Sequence, residues 1–267
     1  MPPTGSKKTL IRHAPLLVAL LALAVCLGAL RNGFTFDDPH MVVGNPLVTG
    51  DGGLWPIFTS HYWAAQEPHG DLYRPLTVAS YWLNYRISGA APFGFHMVNL
   101  LLHGIVTLLV YVLFSRVAAS MRGGSDPRAL PEVVALAGAS FFAVHPVHVE
   151  AVVSVVGRAE LLAALFVLLA WLARGKTWIA LPLFIGGLLS KENAVVLPGL
   201  LLVEDALAGR VRQRWRAYLP YVGVIGAFLL LRIMVLGPAL GSVEGPFTGT
   251  PVFPRILTAT DVLGRYL

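Results

Sequence analysis

Two adjacent carboxylates, Asp37 and Asp38, stand directly after a segment apolar enough to cross a membrane, in the stretch Gly-Phe-Thr-Phe-Asp-Asp-Pro-His from Gly33 to His40. An unpaired carboxylate is costly to desolvate, so acid at a bilayer edge is either put to use or ends the helix in a solvated Asp-Asp-Pro turn. Both readings are open at this point. Further polar groups border later apolar runs: Arg74; His96, Asn99 and His103; His145, His148 and Glu150; Arg158 and Glu160; Lys191 and Glu192. As a set they suit glycosyl transfer from a lipid-phosphate sugar. A carboxylate takes the proton of an acceptor hydroxyl while the anomeric carbon is attacked from the face opposite the phosphate. The departing phosphate is already a stable anion and needs positive charge more than acid, so Arg74, Arg158 and Lys191 are its candidate partners. A single displacement inverts the anomeric centre. The structural alternative is that Arg158 with Glu160, or Lys191 with Glu192, are ion pairs that staple helix ends.

The elements that must position these groups are apolar. Of 267 residues, 56% are hydrophobic and 13% charged, and the mean hydropathy is +0.69. Soluble domains carry about 25% charged residues, so the composition is that of a polytopic membrane protein. The net charge of +6 is dispersed among apolar runs, with no nucleic-acid-binding motif. Cys26 is the single cysteine, which excludes an intrachain disulfide and a Cys-based metal site. The run Ala14 to Leu30 follows Lys7, Lys8 and Arg12 and reaches about 26 Å as a helix, near the hydrocarbon thickness. Its Ala22-Leu23-Ala24 lies inside the run, so an uncleaved anchor is favoured over a signal peptide.

Residues 31–92 form a long first loop punctuated by Gly and Pro, Pro68 among them, for which short interfacial helices are predicted. Trp55, Tyr62, Trp63, Tyr73, Tyr81, Trp82 and Tyr85 read as interfacial aromatics, with sugar stacking the less favoured use of any one ring. Further spans are predicted at 95–117, 133–144, 161–173, 178–189, 194–203 and 218–236, about seven in all. Residues 237–267 hold no clear span. With the amino terminus (1–13) cytoplasmic, Lys7, Lys8 and Arg12, then Arg116, Arg122 and Arg128, then Arg174 and Lys176, then Arg210 through Arg216 all fall on the inner side. The carboxylates and the other unusual polar groups then converge on the outer face.

His96, Asn99 and His103 share one helix face, and His103, about two turns inside, reads as an interhelical hydrogen-bonder. His145-Pro-Val-His148 lacks a helical metal motif, and its proline breaks the face that would aim both rings. No metal ligands are assigned and no cofactor is called for, with a divalent ion left open.

Eight short words in order carry a family resemblance. They are Phe-Asp-Asp (36–38), Trp-Pro-Ile-Phe (55–58), Tyr-Arg-Pro-Leu (73–76), Leu-Asn-Tyr (83–85), Gly-Phe-His-Met-Val-Asn (94–99), Phe-Ala-Val-His-Pro-Val-His-Val-Glu-Ala-Val (142–152), Gly-Arg-Ala-Glu-Leu-Leu-Ala (157–163) and Ser-Lys-Glu-Asn-Ala (190–194). The chain resembles the transmembrane half of the transmembrane-and-tetratricopeptide-repeat O-mannosyltransferases and their bacterial relatives. The resemblance implies an all-α, C-type glycosyltransferase-like domain over 14–236, with a polyprenyl-phosphate sugar as donor and a hydroxyl acceptor, Ser or Thr of a protein in eukaryotic members. An Asp of the first outer loop is the family's base. That maps onto Asp37 or Asp38, and the segments from His145 to Glu150 and from Arg158 to Glu160 become cavity parts without separate roles. Between the two carboxylates Asp37 is taken as the base, with Asp38 as its orienter or substitute and Arg158 and Lys191 as phosphate partners. The Ala-, Gly- and Leu-rich composition suggests a bacterial inner membrane. The chain has no 34-residue repeat of its own, so 237–267 is expected to precede further helices and repeats, here or on another polypeptide. Two other classes stand beside this one: a transporter or flippase of lipid-linked sugars, and a non-catalytic membrane anchor.

Overall fold

A computed structural model describes residues 5–64, 72–120, 129–237 and 249–266. Arg122, Arg128 and Pro68 lie outside the described residues, as do the side chains of Lys7, Lys8 and Arg12. Each apolar run read from the sequence is helical. The first is α1 (Gly5–Cys26), extended by a 3-10 turn at Leu27–Arg31. The long loop holds a π turn at Pro39–Val43 and the short helices α2 (Pro46–Thr49) and α3 (Trp55–Thr59), then α4 (Pro75–Ser88). Next come α5 (Pro92–Ser120), α6 (Ala129–Val144), α7 (His148–Val153), α8 (Arg158–Leu172) and α9 (Thr177–Ser190). A 3-10 turn at Glu192–Val196 leads to α10 (Leu197–Leu207), and α11 (Val211–Arg214) and a 3-10 turn at Trp215–Tyr218 lead to α12 (Leu219–Leu236).

Local chemistry sets many of these boundaries. Pro46, Pro56, Pro75 and Pro198 sit in the first turns of their helices, where a missing N–H leaves no bond unmade. Asn45 caps α2 by accepting from Leu47 N at 3.0 Å. Pro146 interrupts the helical run between Val144 and His148, as the sequence predicts. Gly89 and Gly237, at φ 57° and 59°, end α4 and α12 in a backbone region that side chains resist.

The helices bury their apolar faces in two adjoining groups. Ala14 and Val18 of α1 pack with Val106 and Val110 of α5 and with Ala135 and Ala139 of α6. Phe184 and Leu188 of α9 pack with Val167 of α8, Leu201 of α10 and Phe228 of α12. The loop makes a third core, in which Met41, Val42, Val48 and Ile57 surround Tyr62 and Tyr81 and meet Phe95 of α5 and Val155. This corrects the interfacial reading of its aromatics. Tyr62 and Tyr81 are buried because the loop has enough apolar residues to enclose them, and Tyr73 is buried in the core of α8, α9, α10 and α12, against Phe228, whereas Trp55 is exposed.

Three stretches are long and apolar enough to cross a membrane: His13–Arg31, Pro92–Ala119 and Val211–Leu236. Shorter apolar helices lie at Glu132–Val144 and Thr177–Ser190. The chain is thus a multi-pass helical membrane protein. The predicted count of about seven relies on helices shorter than a full span. Beyond α12, residues expected to lack a span form α13 (Val252–Tyr266), whose apolar Val252, Phe253, Ile256 and Leu257 recur at helical spacing and are exposed.

Basic residues mark one end of the bundle. Arg116 Nη1 donates to the Leu172 carbonyl at 3.1 Å, tying the ends of α5 and α8. Arg174 pairs with Glu204, to which Trp171 Nε1 also donates at 2.7 Å. Asp205, nearly buried, receives Arg214 at 3.3 Å, Arg210 at 3.4 Å and the Tyr218 hydroxyl at 2.7 Å. The opposite end of α8, at Arg158, abuts the long loop.

Candidate functional site

A cavity of about 560 Å³ opens at that opposite end. Asp37, from the turn before the π segment, lines it together with Arg74 at the start of α4, Glu160 of α8 and Lys191 at the end of α9. His148 and Glu150 of α7 complete the charged and polar wall that the sequence anticipates. Val106, Phe142, Leu161 and Ala164 line the other side. From Gly157 to Ala164 the wall extends about 10 Å along α8, so on this helix the lining passes from Glu160 to apolar Leu161 and Ala164, with His103 and His148 bordering the same cavity.

Asp38 does not line the cavity. It is 0% exposed, and its Oδ1 accepts from Val156 N at 2.9 Å and Ser154 Oγ at 3.2 Å. Its Oδ2 accepts from Thr35 N at 3.1 Å, while Asp38 N donates to the Thr35 carbonyl at 2.9 Å. Asp38 is thereby committed to structure, and the turn it pins presents exposed Asp37 to the cavity.

The cations divide. Arg74 donates from Nε and Nη2 to the two carboxylate oxygens of Glu192 at 3.0 and 2.6 Å, and its guanidinium lies 5.4 Å from the Tyr62 ring centroid. Burial is the largest single influence on the Glu192 carboxyl and pushes it up, but the Arg74 bond, a backbone hydrogen bond and the charges of Arg74 and Lys191 together hold the group below the usual carboxylate range. Arg74 is raised in turn by Glu192, against the lowering effect of its own burial. Glu192 is behind Arg74 and off the cavity wall. Lys191 pairs with Glu160, and both side chains reach the cavity. Arg158, expected beside the phosphate, is 0% exposed and off the wall, because Asn84, Asn99 and the backbone of Ser80 and Phe95 occupy its donors.

His96 is buried behind the loop, its Nε2 3.4 Å from the Gly33 carbonyl. His103 Nε2 is 3.3 Å from the Ala143 carbonyl of α6, the interhelical bond expected of it, and its ring also borders the cavity. His145 Nδ1 accepts from Val147 N at 3.2 Å, which uses it to close the turn at Pro146. The His148 ring lies 4.1 Å from Phe142 and 5.7 Å from His103, centroid to centroid. Among the described residues no group of three or more His, Cys, Asp and Glu is arranged to hold a metal ion.

Tyr62, Trp63 and Ser154 line the cavity and were not singled out for it from sequence. The Tyr62 and Trp63 rings meet edge to face at 5.2 Å. Burial pushes the Tyr62 phenol up to about 12, so it stays neutral. Seven loop aromatics gave no signal to choose between these rings and their neighbours; Ser154 had none at all.

Fold and cavity define a multi-pass helical membrane protein with three carboxylates, Asp37, Glu150 and Glu160, and two cations, Arg74 and Lys191, lining one chamber. Comparison with known proteins is specific. The chain is 34% identical over 269 residues to the Drosophila melanogaster protein O-mannosyl-transferase Tmtc2, covering 89% of this chain and 27% of that protein. It is 36% identical to human protein O-mannosyl-transferases TMTC4 and TMTC1, over 73% and 70% of this chain. The chain belongs to the TMTC family of protein O-mannosyl-transferases, and it spans less than a third of the length of these relatives. No family model matches it. No solved structure matches it either.

Proposed function

We propose that the chain forms the donor site and the catalytic base of a membrane glycosyltransferase of the C-type, moving a mannose-like sugar from a polyprenyl phosphate to a hydroxyl, Ser or Thr of a protein, outside the cytoplasm. Asp37 accepts the acceptor's hydroxyl proton as the oxygen attacks the anomeric carbon. The bond from that carbon to the phosphate oxygen breaks on the opposite face, giving the inverted glycoside and a polyprenyl phosphate. Lys191 and Arg74 stabilise the phosphate that leaves. The prenyl chain runs along the apolar wall of Val106, Leu161 and Ala164, and the Tyr62 and Trp63 rings flank the sugar.

The observation that carries this reading is that Asp37, Arg74 and Lys191 border one cavity that apolar Val106, Phe142, Leu161 and Ala164 also line. An amphipathic donor needs that combination; a soluble nucleotide sugar does not. The sidedness is supported by Arg116, Arg174 and Arg210 through Arg216 gathering at the other end of the helices. A bacterial inner membrane with the amino terminus inside suits the composition. A transporter would place its charges near the bilayer midplane, whereas these cluster at helix ends.

Lys191→Gln in the full-length protein tests the phosphate role. Labelled polyprenyl-phosphate mannose supplied in membranes should show a donor KM raised about tenfold or more, the loss of one charge-assisted contact. An unchanged donor KM contradicts it.

A further inference from the structure

Arg158 is a buried cation with no ion pair among the described residues. Its guanidinium donates to four neutral acceptors: Asn99 Oδ1 at 2.9 Å, Asn84 Oδ1 at 2.8 Å, and the carbonyls of Phe95 at 2.9 Å and Ser80 at 3.2 Å. It also lies over the Tyr81 and Phe95 rings, 5.0 and 5.5 Å from their centroids. These partners satisfy its donors but not its charge, and a buried charge demands compensation.

The compensation runs through one short turn. Asn99, which accepts from Arg158 through Oδ1, donates through Nδ2 to the carbonyls of Ser154 at 2.8 Å and Val155 at 3.4 Å. The Tyr81 hydroxyl donates to the same Val155 carbonyl at 3.3 Å. From the other side of this turn, Ser154 Oγ and Val156 N donate to Asp38. The Ser154–Val156 turn is therefore held by its carbonyls on the Arg158 side and grips a buried carboxylate with its donors. A guanidinium and a carboxylate, both fully enclosed, are joined by aligned dipoles rather than by contact. Gly157 makes the geometry possible: a Cβ there would lie 2.5 Å from the Ala151 carbonyl oxygen.

We propose that Arg158 is a positioning residue for the base, acting on Asp37 through Asn99, the Ser154–Val156 turn and Asp38, and not a phosphate ligand. This rests on the reading of Asp37 as the base. It assigns work to Asn84, Asn99 and Arg158, none of which lines the cavity.

The test uses full-length protein in membranes with polyprenyl-phosphate mannose and a Ser/Thr acceptor peptide. Arg158→Lys retains charge but loses the forked bonds to Asn84 and Asn99. Asn99→Ala removes the link and leaves the charge. Both variants should lower kcat on the order of 100-fold, as a displaced base does, with donor KM within about twofold of wild type. A raised donor KM with retained kcat overturns the proposal in favour of a phosphate contact, and so does an unchanged kcat. A second arm needs no activity. In a thermal-stability cycle of Arg158→Gln and Asp38→Asn, the double variant should lose several degrees less than the two single losses summed. Strict additivity denies the coupling. If Asp37→Asn transferred sugar at the normal rate, the base assignment would fail while the stability coupling between Arg158 and Asp38 persisted, so the two failures are separable.

Discussion

Phe36 takes φ 50° with its ring 91% exposed, immediately before the residue that enters the cavity. A bulky residue is strained there, at a cost of about 1–3 kcal/mol, and an exposed ring returns little through packing. Phe36→Asn, which tolerates this conformation, should raise stability by about 1 kcal/mol in a detergent melt; a lower melting temperature would show that the ring is held by contacts. At this scale the sequence was informative about which residues matter and less so about how. Asp37, Arg74 and Lys191 stood out because charge is rare in so apolar a chain. Asp38 and Arg158 stood out for the same reason, yet they turned inward. Whether a polar side chain at a helix start faces the cavity or the helix behind it depends on the approach of α4 and α5, which no local pattern encodes.

Elements meet at the site through a few cross-links. Arg74 and Glu192 join the start of α4 to the turn after α9, beside the bond from Thr77 Oγ1 to the Ser190 carbonyl at 2.8 Å. The carboxyl of Glu192 is held low, so the pair favours the folded state above the ordinary Glu range. That stability is lost as pH falls through the ordinary value and then the lowered folded one. Thermal melts of wild type and Glu192→Gln should therefore differ at neutral pH and converge in acid; a difference independent of pH would mean the carboxylate charge is not what joins these elements. The bond itself was not foreseeable. Arg74 and Glu192 are 118 residues apart, and adjacency suggested Lys191 as the partner, whereas Lys191 points to Glu160. The break at Pro146 was legible because a proline acts locally.

Across the whole molecule, helix positions followed from apolar runs, since a chain in lipid must satisfy its backbone internally. The loop core was harder to see: its short helices lack a span's hydropathy, and Tyr62 and Tyr81 look alike whether they face lipid or each other. Sidedness is the molecular property on which the chemistry depends. In protein with Cys26 replaced by Ser, Asp51→Cys should react with a membrane-impermeant maleimide in intact cells. Arg212→Cys should react only after permeabilisation. Asp51 has its side chain 97% exposed, so access is not limiting; the reverse labelling would invert the topology and move the cavity to the cytoplasm.

The role proposed for Asp37 is to take the acceptor proton inside this cavity. It is tested most directly by transfer of labelled mannose from polyprenyl phosphate to a Ser/Thr peptide, comparing full-length wild type with Asp37→Asn in membranes. Because Asp37 is exposed, the variant should fold and melt as wild type does, while its turnover falls by about 100-fold to 10,000-fold. Turnover equal to wild type in a folded Asp37→Asn protein would contradict the account.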